Sequence, residues 1–174
     1  MTNTNYTIRE ATPDEYLNIG NLMVTVYSQL EGFPGPKESP DYYNKLKNVG
    51  ELTKNPRVKL LVAISSNGTI GGSVVYFGDM SYYGSEGTAT KEKNVAGFRL
   101  LAVDPVTRGN GIGKRLTKAC IDLAIAEQQK QVVIHSTKAM QVAWAMYEKL
   151  GFKRSEDLDF KKGELTIYGF RLLL

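Results

Sequence analysis

The segment from Phe98 to Lys114 limits what this chain can fold into more than any other stretch of it. An apolar strand, Val95–Val103, runs into a turn at Asp104-Pro105. Glycines then stand at alternate positions, Gly109, Gly111 and Gly113, and a helix follows without further interruption. The first turn of a helix carries unpaired N–H groups and the positive end of the macrodipole. Glycines at that point let the backbone approach an anion closely and take up positive φ where needed. Arg108 and Lys114 add mobile positive charge at the rim. In its physical properties the junction is a phosphate cradle. A glycine-rich helix entry with no ligand is the bland alternative, and it would cost backbone entropy with no packing return.

Two common phosphate loops do not fit. A P-loop requires G-x-x-x-x-G-K-[ST]; here Arg108 occupies the first glycine position and Arg115 the hydroxyl position. A dinucleotide fingerprint, G-x-G-x-x-G, ends on Lys114 if started at Gly109 and on Leu116 if started at Gly111. The chain also lacks the repeated parallel βαβ units of that fold. Composition removes other chemistries. Cys120 is the only cysteine and His135 the only histidine, which excludes an intramolecular disulfide, a thiolate cluster and a two-histidine zinc site. No metal is expected. The net charge of +4 is spread along the chain, with no basic run of the nucleic-acid-binding kind. There is no apolar stretch long enough to span a membrane and no basic-then-apolar start. The expected compartment is the cytoplasm, with neither nucleic acid nor membrane as a partner.

The remaining elements follow from local signals. Tyr6–Arg9 reads as a first strand. Thr12-Pro13-Asp14-Glu15 is a helix start, with Leu17, Leu22, Val26 and Leu30 as the apolar face. A second helix begins after Ser39-Pro40 and carries Tyr43, Leu46 and Val49. Lys59–Ile64 and Thr69–Phe77 form a hairpin around Asn67-Gly68. Asp79–Lys93 reads as a mobile polar loop. Gly111–Gln128 is a helix, Gln131–Ser136 a strand, Met140–Leu150 a helix capped by Gly151, and Lys153–Ser155 and Glu164–Leu173 closing strands. The order β-α-α-β-β-β-α-β-α-β-β predicts one mixed α/β (α+β) domain over residues 1–174, with its core at about 6–173.

What does fit the loop is R-x-x-G-x-G, as Arg108-Gly-Asn-Gly111-Ile-Gly113. This resembles the coenzyme A pyrophosphate motif of the GNAT N-acetyltransferase superfamily. Upstream, Leu100–Val103 with Asp104-Pro105 matches the strand that precedes it in the family. Downstream, Ala143-x-x-x-Tyr147-Glu-Lys-Leu-Gly-Phe152 is similar to the family's A-x-x-x-Y-E-K-x-G-F segment. The element order matches from end to end. The resemblance implies a single, mostly antiparallel central sheet with helices on both faces. It also implies acetyl-CoA as cosubstrate, held by Arg108, Gly109, Asn110, Gly111, Ile112, Gly113 and Lys114. The backbone of Leu101, Ala102 and Val103 would hold the pantetheine arm in a gap between splayed strands. Arg115 fits equally as a phosphate contact and as a solvated helix residue. One position departs from the pattern: Met140 stands where the family often has an asparagine that touches the pantetheine arm.

The implied reaction is direct attack by an amine on the thioester in a ternary complex. A lysine-like amine costs roughly 4.6 kcal/mol to deprotonate at pH 7, so a general base or a water chain to one is expected. The strand Val95–Val103 has no carboxylate; Glu31, Glu92 and His135 are the open candidates, and a histidine placed like His135 on a strand is more often a satisfied core histidine than a base. Tyr147 matches the family's general-acid tyrosine, although Ala143, Tyr147 and Leu150 also share a core-like helix face. The acceptor region of the fold corresponds here to segments that supply Tyr27, Glu31, Phe33, Tyr42, Tyr43, Tyr82 and Tyr83. Tyr27, Glu31, Phe33 and Tyr82 are the residues expected to contact the acceptor, a primary amine of a small molecule or peptide. A non-catalytic acetyl-CoA-binding sensor is the alternative reading. The apolar strand Phe170–Leu174 offers an edge for pairing in a homodimer.

Overall fold

The computed structural model describes residues 5–174. In chain order the elements are β1 (Tyr6–Glu10), α1 (Tyr16–Ser28), α2 (Pro40–Lys47), β2 (Val58–Ser65), β3 (Ile70–Phe77) and β4 (Val95–Val103). They continue with α3 (Ile112–Ala126), β5 (Gln131–Ser136), α4 (Gln141–Lys149), β6 (Lys153–Arg154), β7 (Phe160–Lys162) and β8 (Leu165–Leu173). The strands run β1-β2-β3-β4-β5-β8-β6 across the sheet, with β7 paired to β8. Every pairing is antiparallel except β4 with β5. That exception follows from α3, the crossover helix that a parallel pair requires.

The sheet is covered on both faces. On one side Ile19, Met23 and Tyr27 of α1 and Leu46 of α2 pack on Leu60, Val62, Val75 and Phe77. On the other, Ile112, Leu116 and Cys120 of α3 and Tyr147 of α4 pack on Leu61, Ala63, Val74 and Tyr76. Alternate residues of β2 and β3 thus go to opposite layers, both apolar, which is why these strands read as continuous hydrophobic runs.

Four expectations need correction. The buried face of α1 is Ile19, Gly20, Met23 and Tyr27, whereas Leu17 is 62% exposed. Pro13–Glu15 forms a separate 3-10 turn, and α1 is held so close to α2 that a glycine takes a core position. A Cβ on Gly20 would stand 2.2 Å from the carbonyl oxygen of Lys47. The segment 79–93 is packed: it holds two 3-10 turns and buries Met80, Tyr83 and Ala89. Its tyrosines made it look polar, yet Tyr83 lies against Phe77. The short strand β7 was not expected; it forms a hairpin with β8, pairing Lys162 with Leu165. Three residues with one apolar side chain give no strand period to read. Finally, β8 is an interior strand: β5 pairs along one side of it and β6 takes Phe170 and Arg171 on the other. Its backbone from Phe170 to Arg171 is therefore already used within the chain.

Other local signals hold. The Asn67-Gly68 turn closes with a bond from the Ser65 amide to the Thr69 carbonyl and Gly68 at φ +86°. Gly151 ends α4 at φ +100°.

Candidate active site

The site begins where β4 and β5 separate. The two strands pair only through Val95, Ala96 and Gly97 with Gln131, Val132 and Val133. Just beyond, β4 carries a bulge: the register against β3 shifts between Ser73 and Val75, and Leu100 adopts φ +60°. A bulge adds a residue and bends its strand. The outer half of β4 consequently turns away from β5 and leaves a wedge between them. A cavity of about 770 Å³ fills that wedge.

One end of the cavity is the glycine loop. Asp104 starts it, accepting the Val106 amide on Oδ1 at 2.9 Å. Thr107 anchors it, its buried hydroxyl lying 3.0 Å from the Gly71 carbonyl oxygen on β3. Gly109 and Gly111 then take φ +86° and +72°, and a Cβ on either would meet nothing within 4 Å. The glycines are therefore required by backbone conformation and leave open space beside the chain. Gly113 lies in the first turn of α3, where a Cβ would meet Val103 Cγ2 at 3.4 Å. The first helical hydrogen bond at this end runs from Arg115 to Gly111, and no amide from Gly109 to Lys114 donates to another described residue. Bare amides at a helix start, beside exposed Arg108 and Lys114, fit a diphosphate. Arg108, Gly109, Gly111, Ile112, Gly113 and Lys114 line the cavity, as do Leu101 and Val103. Asn110 and Ala102 do not: Asn110 donates to the Thr107 carbonyl, and the Ala102 side chain packs into the α1 layer. Arg115 is tied elsewhere, to the Tyr6 carbonyl at 2.7 Å.

The middle of the cavity lies between Tyr147 and the ends of β4 and β5. The Tyr147 ring is clasped by Phe98 and Phe152, each about 5.8 Å away between centroids. Its side chain is 6% exposed, lines the cavity, and its hydroxyl bonds to no described residue. The core-aromatic and cavity-wall readings thus hold together. Burial, reinforced by Cys120 and Tyr83 nearby, pushes its phenol well above the ordinary value. Facing the gap at the end of β5, Ser136 and Thr137 are buried and their hydroxyls have no partner. A buried unpaired hydroxyl costs about 1–3 kcal/mol; two on the wall of a cavity are ready to bond whatever enters it. Nothing in the sequence marked them beyond their position at a strand end. Met140, which caps α4, also lines the wall.

The far end is aromatic. Tyr27, Phe33 and Tyr42 form a triangle with centroids 5.7–6.1 Å apart, and all three line the cavity. The Tyr27 hydroxyl donates to the Leu101 carbonyl at 3.0 Å, joining α1 to the bulged strand. Burial pushes the Tyr42 phenol up to about 12. Tyr43 is structural, donating to the Pro34 carbonyl. Glu31 and Tyr82 are not on the wall; Glu31 is exposed, and Tyr82 packs against the α1 layer.

The candidate bases separate in space. Glu92 is ion-paired to Arg171 at 2.6 Å. His135 lines the cavity with both nitrogens engaged: Nδ1 lies 3.0 Å from the Tyr83 hydroxyl and Nε2 is 2.9 Å from the Leu158 carbonyl oxygen. A carbonyl can only accept, so Nε2 carries the proton and Nδ1 accepts from Tyr83. Burial lowers the His135 pKa and keeps the ring neutral. Glu86, unmarked in the sequence, is the only carboxylate on the wall among the described residues. Arg99 was also unmarked; it enters the cavity from β4 beside the bulge.

Comparison with known proteins agrees with this architecture. Over 63 residues, 36% of this chain, it is 35% identical to N-acetylaspartate synthetase of Xenopus tropicalis. Over 64 residues it is 34% identical to the Danio rerio protein of the same name. The chain spans only 23% of the length of each of these relatives. A GNAT-family acetyltransferase from Staphylococcus aureus Mu50 superposes with a TM-score of 0.75 at 16% identity, covering 97% of this chain and 99% of that one. A GCN5-related N-acetyltransferase from Kribbella flavida gives 0.70 at 20% identity, covering 98% of each. A putative acetyltransferase from Salmonella typhimurium, determined with acetyl-CoA, gives 0.66 at 18% identity over 98% of this chain and 95% of that one. At such identities the superpositions establish the fold. The sequence model of the Acetyltransferase (GNAT) family matches residues 23–152, and the chain belongs to that family.

Proposed function

We propose that the chain moves an acetyl group from acetyl-CoA to a primary amine of a small molecule or peptide, by direct attack within a ternary complex. The observation that carries this reading is one continuous cavity running from the glycine loop, past Tyr147, to the Tyr27–Phe33–Tyr42 cluster. Two substrates entering from its two ends would meet beside the Tyr147 hydroxyl. The Salmonella protein of the same fold was determined with acetyl-CoA, which supports acetyl-CoA as the donor.

Acetyl-CoA supplies an activated acetyl group as a thioester. The amides from Gly109 to Lys114, with Arg108 and Lys114, hold its diphosphate. The open edge of β4 at Leu101–Val103 and the Ser136 and Thr137 hydroxyls offer hydrogen bonds along the wedge. The acceptor nitrogen must be neutral to attack, and for a lysine-like amine that costs roughly 4.6 kcal/mol at pH 7. Glu86 is the carboxylate available on the wall to receive that proton through water. Tyr147 holds a proton for the departing sulfur. Even an unshifted phenol gives its proton to a thiolate uphill by roughly 2 kcal/mol, and burial of Tyr147 adds to that. Its hydroxyl therefore acts as a hydrogen-bond donor as the C–S bond lengthens, with full transfer only as the thiolate forms.

The test is a screen of amines with acetyl-CoA, following release of free thiol and then the mass of the product. Gain of one acetyl group on the acceptor nitrogen is expected. Acetyl-CoA binding without thiol release across the panel would instead make the chain a non-catalytic sensor of the donor.

A further inference from the structure

Two charged side chains on the cavity wall have no assigned role, the exposed Lys162 and the half-buried Arg99. The bulge at Leu100 places Arg99 and Leu100 on the face of β4 that looks toward α1 and α2; Leu100 packs with that layer, and the guanidinium sits 5.4 Å above the Tyr83 ring. Its Nη1 donates to the Tyr83 carbonyl at 2.7 Å. It forms no ion pair with any described carboxylate. The other donors of the fork have no partner among the described residues, although the residue is half-buried. Its charge opposes the upward shifts of the Tyr27 and Tyr42 phenols, so it faces the aromatic end of the cavity. Beside it, Gly84 takes φ +75°, and a Cβ there would stand in tight contact with Nη1 at 3.2 Å. The Ser85 hydroxyl, on the same wall, is buried without a partner.

A half-buried cation without a counter-charge is held at a cost, unless a ligand brings the anion. A guanidinium fork with free donors matches a carboxylate in particular, because two parallel N–H···O bonds form at once. Resting on the acetyltransferase reading, we propose that Arg99, aided by Ser85, binds a carboxylate of the acceptor. The substrate class is then an amine that carries an acid group together with an apolar body seated on Tyr27, Phe33 and Tyr42. A polyamine is disfavoured, because its second ammonium would approach Arg99. The same cation also favours the neutral, nucleophilic form of the reacting amine.

The experiment compares matched acceptors that differ only in the acid group: L-phenylalanine with 2-phenylethylamine, L-tyrosine with tyramine, L-leucine with isopentylamine, and spermidine as the dication. The acid member of at least one pair is expected to show a kcat/KM at least ten-fold higher than its amine. In Arg99→Gln that preference should fall at least ten-fold through KM of the acid, with part of it restored in Arg99→Lys. Because the ratio is taken within one protein, a general loss of folded enzyme cancels. Equal use of acid and amine, preference for spermidine, or an unchanged ratio in Arg99→Gln would overturn the assignment. Phenylacetate binding, read by ligand-observed NMR, supplies a readout without turnover. Saturable binding weakened in Arg99→Gln supports the site; none in the wild type, or equal binding in both, refutes it. Acetylation confined to amines without acid groups would defeat the Arg99 proposal alone, whereas failure to bind acetyl-CoA at all would defeat the transferase reading beneath it.

Discussion

At the scale of single residues, the roles proposed for Tyr147 and Arg108 are separable. Tyr147 touches the cavity through one hydroxyl while its ring is packed on Phe98 and Phe152. Tyr147→Phe keeps the ring and deletes the proton. Turnover is expected to fall ten-fold or more with acetyl-CoA affinity nearly unchanged; steady-state kinetics beside calorimetry separate the two, and an undiminished kcat would remove Tyr147 from the chemistry. Arg108 is exposed at the loop rim and makes no ion pair with any described residue. Arg108→Ala should weaken acetyl-CoA, and the gap between variant and wild type should narrow as salt screens the contact. Equal affinities at low salt would contradict its placement on the phosphates. Tyr147 was legible in the sequence because it sits inside a spaced motif. Arg99 was not, because an arginine in a strand gives no sign of which face a bulge will turn it to.

Among the elements, the contact between α1 and α2 sets the aromatic end of the cavity, where the acceptor is proposed to sit, since Tyr27 and Tyr42 project from these two helices. Gly20 permits that contact. Gly20→Ala puts a methyl into the Lys47 carbonyl, and overpacking of this kind costs about 1–3 kcal/mol. A lowered Tm is expected in thermal unfolding, with KM of the acceptor rising more than that of acetyl-CoA, because the glycine loop lies on other elements. An unchanged Tm would mean the helices slide apart freely. The periodic pattern alone placed the α1 face on Leu17 and its partners, one step round the helix from Ile19 and Met23. Apolar residues surround much of this helix, so sequence period could not choose among them; the shape of the α2 contact chose.

For the whole molecule, the titrating groups set an acid limit to folding. Burial holds His135 below its ordinary 6.5, so the unfolded chain binds more protons as pH falls through that value, and stability declines until the folded ring also protonates. The Arg9 hydrogen bond, with Thr12, holds Glu15 at about 2 against an ordinary 4.5. Its contribution is present above 4.5 and is lost as pH falls toward 2. Tm should therefore be level at neutral pH, decline from about 6.5, and decline again below about 4.5. In His135→Gln the first decline should vanish, whatever the absolute Tm; a slope that persists between those two values would assign it to other groups. No helix among the described residues is long and apolar enough to cross a membrane, and none of their His, Cys, Asp and Glu side chains gather into a metal-binding group.

The sequence by itself determined the family, the glycine loop and most of the element order. Each of these depends on short-range rules: a helix start next to alternating glycines, a two-residue turn, a cap, a motif of fixed spacing. Glu31, Glu92 and His135 were equal candidates by residue type, and only folding set them apart, as a solvent-facing side chain, an ion pair and a neutral buried ring. Tertiary structure likewise decided the wedge between β4 and β5, the unpaired hydroxyls of Ser136 and Thr137, and the turn of Arg99 toward the aromatic cluster. Those features arise where residues distant in the chain meet, and a bulge of one residue reverses which of them face each other. Spacing along a strand cannot carry that information, because the side chains alternate only until the backbone breaks the period.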